Sequence, residues 1–214
     1  QLYIRILRSP YAHGRITELD VSEARSRPGV EAVYTAADLT SLGGLPCRAA
    51  LKNAQGEPAF IPHRPILAED KVLFVGQAIA AVVAQTPEQA VDAVEAIELS
   101  VDDLPACSDL SGALNPDTLP IHDTRSDNLC VHFEQGSAAD VDQALASGAY
   151  RISVNLVNNR VVPSPLEPRA TLVEPADEGF KLYNPSQGAL GQRAVLSKVF
   201  SLPADQIHVI SPDT

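Results

Sequence analysis

The residues of most chemical interest are Gln187 and Gly188, in the stretch LYNPSQGALGQRAVLSKVF. A strand-like run at 182–183 ends at Asn-Pro-Ser, and an amphipathic helix follows the glycine. A carboxamide at such a junction can donate a hydrogen bond to a polar group held at the strand end without adding charge. The simpler interpretation, and the one that the local sequence favours, is a loop glutamine that faces water.

The spacing of the cysteine and histidine residues does not match that of a metal-binding or disulfide site. Cys47, Cys107 and Cys130 form no CxxC pair, so neither a disulfide framework nor structural zinc is indicated. We interpret the three cysteines as reduced and mostly buried thiols, which favours a cytoplasmic location. The five histidines show no HxxxH or HxH spacing, and we expect isolated surface or turn residues.

Acidic residues are plentiful but scattered, and they predict no metal site. Asp102 and Asp103 are typical of a turn at a strand end, and Glu167 with Arg169 is typical of a local charge pair. The phosphate-binding, dinucleotide-binding, serine-hydrolase and zinc-protease motifs do not occur. By itself, local chemistry therefore predicts no catalytic residue.

Composition predicts an ordinary globular protein without a membrane span. The chain has 214 residues, of which 45% are hydrophobic and 20% charged, enough for one large domain or two small ones. Its longest apolar run, AIAAVVA at 78–84, is far shorter than the roughly 18 residues of a spanning helix. The formal charge of −11 repels phosphate backbones, which argues against nucleic acid as a partner.

The first half of the chain reads as a compact α+β unit. The best-defined helix signal is Thr86-Pro87-Glu-Gln89, which combines a cap, a first-turn proline and a capping box. A helix between two strands predicts a β-α-β crossover, and Gly76-Gln77 predicts a hairpin turn. The predicted strands are 2–8, 15–21, 30–34, 72–75, 78–84 and 97–101, with a short helix from Ser22 and a long irregular loop at 40–65.

The second half begins after a change in composition. Residues 106–128 are rich in Pro, Asp, Ser, Gly and Asn and are predicted to be a linker. The elements expected after it are a strand at 130–133, a helix at 137–146, an alternating strand from Tyr150 to residue 156, and a hairpin of 170–174 with 180–183. There is no methionine, and the chain opens inside a strand, so we expect a piece of a longer polypeptide.

The order of five segments carries a family resemblance. These are LRSPYAHGRITELDVSEARSRPGVEAVYTAADL, RPILAEDKVLFVGQAIAAVVAQTPEQAVDAVEAIELSVDDLPA, NNRVVPSPLEPRATLVE, YNPSQG and IHVISPD. In this order and at this spacing, the chain resembles the large, molybdenum-carrying subunit of the xanthine dehydrogenase, aldehyde oxidase and aerobic carbon monoxide dehydrogenase family. The fold implied is α+β: an α/β hammerhead domain at 1–105, a linker at 106–128, and the incomplete N-terminal part of a molybdopterin-binding domain at 129–214.

The resemblance also gives the strand-to-helix junction a role. In the family, a glutamine in this loop lies close to molybdenum and hydrogen-bonds its apical oxygen ligand, and NPSQG is the matching stretch. Gln187 and Gly188 are therefore the expected cofactor-binding residues. The family's catalytic glutamate and its glycine-rich cofactor loop lie downstream, so the resemblance implies no catalytic residue and no metal ligand in this chain.

The function implied is that of the N-terminal portion of a molybdenum hydroxylase large subunit. Such enzymes insert water-derived oxygen into a C–H bond, or oxidise carbon monoxide, and the substrate stays open. The molybdenum-molybdopterin cofactor would act in the full-length protein, with 2Fe-2S clusters and FAD on an iron–sulfur small subunit and an FAD-binding medium subunit. The fragment alone is expected to be inactive and to bind no molybdenum.

Two other classes of function stay open on the sequence. One is a non-catalytic assembly or interaction module that shares the hammerhead fold, and a reading frame ending soon after residue 214 would favour it. The other is a small-molecule binding domain unrelated to molybdenum, which would need an enclosed apolar pocket within these residues.

Overall fold

The computed structural model describes residues 1–47, 49–159, 161–166 and 169–212. Within these ranges, helices and strands are mixed, and the strands form three sheets of three, as the predicted α+β class requires. In chain order the elements are β1 (Tyr3–Arg8), β2 (Gly14–Asp20), α1 (Ser22–Ser26), β3 (Val30–Tyr34), β4 (Lys71–Val72), β5 (Ala78–Ala84), α2 (Pro87–Glu95), β6 (Glu98–Asp103), α3 (Leu110–Ala113), α4 (Ala138–Ser147), β7 (Leu172–Pro175), β8 (Phe180–Tyr183), α5 (Ala189–Phe200) and β9 (Ile207–Ile210).

The first sheet has the order β1-β5-β3, with the apolar strand β5 in its centre. Both outer strands are antiparallel to β5, and Ile4 and Ala32 lie opposite Val83 from either side. Successive β5 residues point to opposite faces, so Val82 joins the core beneath α1 and α2 while Ile79 joins the core of the second sheet. This double burial explains why the strand is a continuous apolar run.

The second sheet, ordered β4-β2-β6, corrects the predicted hairpin. Strand β4 pairs with β2, whereas β5 belongs to the first sheet, so the turn at Gly76 and Gln77 passes between sheets. The backbone hydrogen bonds of a hairpin are replaced by others. The Leu73 amide donates to Oε1 of Gln77, and the Ser9 amide donates to the Gln77 carbonyl. Gly76 has φ of +88°, a value that favours glycine.

Helix α2 confirms the predicted start and corrects the predicted crossover. The Thr86 side chain accepts a hydrogen bond from the Gln89 amide, and the Gln89 side chain accepts one from the Thr86 amide. Pro87 occupies the first turn. Because β5 and β6 lie in different sheets, however, α2 links two sheets and closes no β-α-β unit within one. A strand-helix-strand pattern gives the order of elements but leaves open which sheet each strand joins.

Two predictions about isolated side chains are wrong. His13 is only 4% exposed; its Nδ1 donates to the Pro105 carbonyl at 2.9 Å, and the Leu104 amide donates to the His13 carbonyl. The histidine therefore fastens the end of β6 to the start of β2. The thiols of Cys47, Cys107 and Cys130, expected to be mostly buried, are exposed. They lie in irregular segments that no sheet covers.

The end of the predicted linker lies against the first 105 residues. Asp123 pairs with Lys71 and, at 3.8 Å, with Arg15. Arg125 lies over the Phe60 ring at 5.1 Å, and the Phe60 amide donates to the carbonyl of Cys130 at 2.9 Å. Residues 119–130, called here the docking segment, are thus held by ion pairs and an aromatic contact.

Two predicted strands between residues 130 and 156 do not form. The alternating segment from Tyr150 to Leu156 has no regular secondary structure, and its apolar side chains are exposed, from Val154 at 69% to Tyr150 at 93%. Alternation alone cannot make a strand, because its amides need a paired neighbour, and no strand of the described residues pairs with this segment. Helix α4, by contrast, forms as predicted, with Ser137 capping the Asp140 amide.

Candidate functional site

The candidate site lies at one edge of the third sheet, ordered β7-β8-β9. Strands β7 and β8 form the predicted antiparallel hairpin, whereas β8 and β9 are parallel, with Leu182 opposite Val209. Helix α5 connects the two parallel strands, so the chain's β-α-β unit spans residues 180–210. In such units ligands bind outside the carboxyl ends of the strands, which is where the chain leaves β8 for α5.

Short polar bonds fix the loop between β8 and α5. The Asn184 amide donates to the Ile210 carbonyl at 3.0 Å, which extends the parallel pairing. Ser211, just after β9, donates from its hydroxyl to the Asn184 carbonyl at 2.9 Å, and its Oγ lies 2.8 Å from that of Ser186. The Gly188 amide in turn donates weakly to Oγ of Ser186. Both strand ends therefore hold the same loop.

Gln187 is exposed at this edge, directly before the first turn of α5. Gly188 occupies the N-cap position, no side-chain hydrogen bond caps the helix, and no acidic residue lies in its first turn. A Cβ placed on Gly188 would have open space around it, since no described heavy atom comes within 4 Å. The first-turn amides, which have no partner within the helix, and the exposed Gln187 carboxamide are thus hydrogen-bond donors close together in sequence, at a helix N-terminus with its partial positive charge.

Two titratable groups on β7 and β8 are paired with each other. Tyr183, the last residue of β8, donates from its hydroxyl to Oε2 of Glu174 at 3.0 Å. This hydrogen bond, together with partial burial and the carboxylate charge, raises the pKa of Tyr183, so the phenol stays protonated at neutral pH. Among the described residues, this edge therefore offers neutral and positively polarised hydrogen-bond donors.

Sequence reasoning proposed Gln187 and Gly188 as cofactor-binding residues but did not single out the residues that hold their loop. Asn184, Ser186 and Ser211 were treated as turn residues, and their joint role depends on the parallel pairing of β8 with β9, which local sequence does not reveal. On the helix that follows, Gln192 is half-buried, and its Oε1 is buried without a described hydrogen-bond partner. It is therefore unsuitable as an exposed reference for Gln187.

Several negative findings apply to the described ranges only. There, no group of three or more His, Cys, Asp or Glu side chains is arranged to hold a metal ion. None of the helices in those ranges is long and apolar enough to cross a bilayer. The charge pair predicted between Glu167 and Arg169 involves a residue outside the described ranges.

Comparison with known families assigns both halves of the chain. The aldehyde oxidase and xanthine dehydrogenase a/b hammerhead domain matches residues 1–105, and the molybdopterin cofactor-binding domain matches residues 121–214. The chain belongs to the aldehyde oxidase and xanthine dehydrogenase family. The predicted family and fold, a hammerhead domain followed by a cofactor-binding region, are confirmed.

Individual relatives agree with this assignment along the whole chain. The chain is 32% identical over 99% of its length to the carbon monoxide dehydrogenase large chain of Hydrogenophaga pseudoflava. It is 31% identical over 98% to the 6-hydroxypseudooxynicotine dehydrogenase complex subunit gamma of Paenarthrobacter nicotinovorans. The crystal structure of quinoline 2-oxidoreductase from Pseudomonas putida 86 superposes on 100% of the chain with a TM-score of 0.86 and 27% identity. The chain spans 26–27% of the length of these three proteins.

Proposed function

We propose that the chain supplies the hammerhead domain and one wall of the cofactor site to the large subunit of a molybdenum hydroxylase. The observation that carries the proposal is the position of Gln187. It is exposed beside the uncapped start of α5, at the carboxyl ends of two parallel strands, within the region that matches a molybdopterin cofactor-binding domain. The three proteins described above, two of them named as chains or subunits of larger enzymes, support the enzyme class.

The residues at this edge fit an oxygen-rich cofactor. A cofactor at this edge would meet the Gln187 carboxamide and the backbone amides of the first turn of α5, all of which can donate hydrogen bonds to oxygen. The space beside Gly188 is open, and no acidic side chain of the first turn would repel an anionic group. When bound, the molybdenum-molybdopterin cofactor would supply the two-electron oxidation chemistry that no side chain in this chain offers.

The role of Gln187 is to donate a hydrogen bond to an oxygen of the cofactor and so to orient it. A carboxamide suits this role because it carries no charge and competes poorly as a metal ligand. Gly188 follows at the N-cap, where the lack of a side chain leaves the helix start accessible. Asn184, Ser186 and Ser211 hold the loop in place from the two strand ends.

The complete enzyme is proposed to hydroxylate a small substrate with oxygen from water, or to oxidise carbon monoxide. Its electrons would pass to 2Fe-2S clusters on a small subunit and to FAD on a medium subunit. We also infer a cytoplasmic location, which the three unpaired and exposed thiols support because exposed thiols persist in reducing compartments.

Substitution of Gln187 in the full-length parent complex tests the proposal. Gln187→Ala should leave folding almost unchanged, because an exposed loop carboxamide contributes little packing. Loss of an outer partner of a metal centre typically costs about 10–100-fold in activity or metal affinity, so turnover per bound molybdenum should fall by that order. Gln187→Glu should be worse, since an ionised carboxylate cannot donate and places negative charge beside cofactor oxygens.

The chain offers a matched control in Gln135. It is also exposed, is followed by glycine, and precedes a helix, α4, whose start is capped by Ser137. Gln135→Ala should therefore keep the parental rate. Equal, near-parental turnover of the Gln187→Ala and Gln135→Ala enzymes would mean that Gln187 is a solvated loop residue and would remove the basis of the proposal.

A further inference from the structure

The hammerhead region touches α5 at the end of the helix opposite to Gln187. The Gly43 amide donates to the Val199 carbonyl at 2.8 Å, one of the carbonyls in the last turn that has no partner within the helix. The carbonyl of Ser197, two residues earlier, is satisfied locally, since it accepts from the amides of Ser201 and Leu202. The hydrogen bond from Gly43 thus caps the helix from a different domain.

The backbone at Gly43 lies so close to the last turn of α5 that a side chain at this position would press on the helix. A Cβ there would lie 3.1 Å from the Lys198 carbonyl oxygen and 3.5 Å from Cα of Val199, so the neighbouring backbone would have to yield by a few tenths of an ångström. The backbone of Gly43 does not adopt a positive φ, so an L-residue is not excluded by its conformation. The cost of a side chain at this position is therefore the displacement of α5.

The loop that carries Gly43 is held firmly on its other side. A Cβ on Gly44 would lie 2.8 Å from Cε1 of His63 and 2.9 Å from the Arg64 carbonyl oxygen, and the Leu45 amide donates to that same carbonyl at 2.7 Å. His63 is itself fixed to Glu69 at 3.3 Å. Because the loop is anchored at residues 63 and 64, a side chain added at Gly43 would press on the last turn of α5.

Helix α5 transmits such a displacement to its first turn. Its 12 residues span about 18 Å at 1.5 Å per residue, and the axial hydrogen bonds make it move as a rod. The C-terminal end packs through buried Val199 and through Phe200, whose ring meets that of Phe180 edge to face at 5.4 Å. At its other end stand Gly188 and Gln187.

We propose that Gly43 is a positioning residue, which sets the placement of Gln187 by capping the far end of α5. The inference rests on the proposed function, because Gln187 is its endpoint. A misplacement of about 1 Å at a reacting centre can cost on the order of 100-fold in rate, so a shift of a fraction of that distance is sufficient to matter.

The test uses the full-length parent complex with Gly43→Ala, Gly43→Val and the control Gly148→Ala. Gly148 also lacks a positive φ, but a Cβ there meets its neighbours at 3.5 Å or more, which is ordinary contact. Gly43→Val should raise the hydrogen-exchange rates of amides 192–195, the first amides of α5 with partners inside the helix, on the order of tenfold, with Gly43→Ala in between and Gly148→Ala at the parental rate. The exchange is measured on complex purified from cells deprived of molybdenum, so it does not depend on the cofactor.

A double-mutant cycle then links the two residues through turnover per bound molybdenum. If Gly43 acts through Gln187, Gly43→Val lowers turnover on the order of tenfold in the parent but much less in a Gln187→Ala background. Additive losses, or unchanged exchange of amides 192–195 in folded Gly43→Val, would overturn the inference; Gly43→Ala gives the same readout if the valine variant does not fold. Loss of the proposed function is recognised separately, because Gln187→Ala alone would then keep the parental turnover.

Discussion

At the scale of single residues, His122 is the titratable group whose protonation bears on how the docking segment is held. Its ring meets Phe60 edge to face at 5.8 Å, and the charged groups near it are Lys71 and Asp123. Partial burial, reinforced by the Lys71 cation, lowers the pKa of His122 below 6.5, and the Asp123 carboxylate opposes this shift. The docked segment therefore favours the neutral imidazole.

The sign of this shift predicts weaker docking in mild acid. Because the pKa is lower when docked than when undocked, the stabilisation is complete above 6.5 and is lost as the pH falls through the lower docked value. Hydrogen exchange of this chain at about pH 8 and about pH 5.5, expressed as protection factors, should show selective loss of protection at 119–130 in acid. Helix α2 serves as the internal reference.

His122→Phe provides the control, since phenylalanine keeps the ring against Phe60 and cannot be protonated. In this variant the protection of the docking segment should be the same at both pH values. Asp123 does not confound the experiment: its hydrogen bond to Lys71 lowers its pKa below 3.8, so it stays charged throughout. If parent and variant lose protection equally, another group governs docking.

The structural role of a residue could be predicted where its neighbours in sequence determine it. It could not be predicted where a partner far away in sequence determines it. The strand-to-helix junction at Gln187 and the Thr86 cap could be predicted because neighbouring residues signal a strand end or a helix start. The burial of His13 and of the Gln192 oxygen could not, because each depends on segments far away in sequence. The bond from Gly43 to Val199 spans over 150 residues and has no local signal at all.

At the scale of elements, the docking segment is held by contacts that are individually weak. Its ion pairs to the first domain are made by Asp123, whose side chain is 63% exposed although that of Lys71 is only 10% exposed, and pairs open to solvent contribute about 0–1 kcal/mol each. A cation over an aromatic ring at an exposed site adds about 0.5–1 kcal/mol. Such a segment opens locally without unfolding either neighbour.

We propose that residues 106–128 form the linker between two domains, and limited proteolysis tests this boundary. The first cuts should fall within 106–128, and earliest at 106–118, because the described tertiary contacts to the first domain lie mainly in the docking segment from 121 onward. The two products should separate near the ends of the two matched domains, 105 and 121. First cuts in the well-packed stretch from β4 to β6 would refute the boundary.

Element existence was easier to predict than element pairing. Strand β5, helix α2 and the hairpin of β7 with β8 follow from apolar periodicity and turn residues, and all three form. The hairpin and the crossover predicted around β5 fail because the chain changes sheets on both sides of it. The alternation from Tyr150 to Leu156 fails for a related reason, since a strand exists only where a second strand pairs with it.

At the scale of the whole molecule, the two halves of the chain bury their apolar side chains to different extents. The hammerhead region has its own buried cores, whereas the region after residue 129 keeps many apolar side chains exposed, among them Ile152 and Val162. The family assignment came from the order of several segments and not from any one motif. That order is a property of the entire chain, so it survived the local errors in strand pairing.

Metal analysis of the complete parent complex tests the central claim most directly. Purified from cells grown with molybdate, the complex should contain molybdenum in stoichiometric proportion to the large subunit. It should also reduce its own FAD when offered the correct member of a panel of N-heteroaromatic compounds, purines, aldehydes and carbon monoxide. A correctly folded complex without molybdenum above background, and without flavin reduction by any of these substrates, would contradict the assignment.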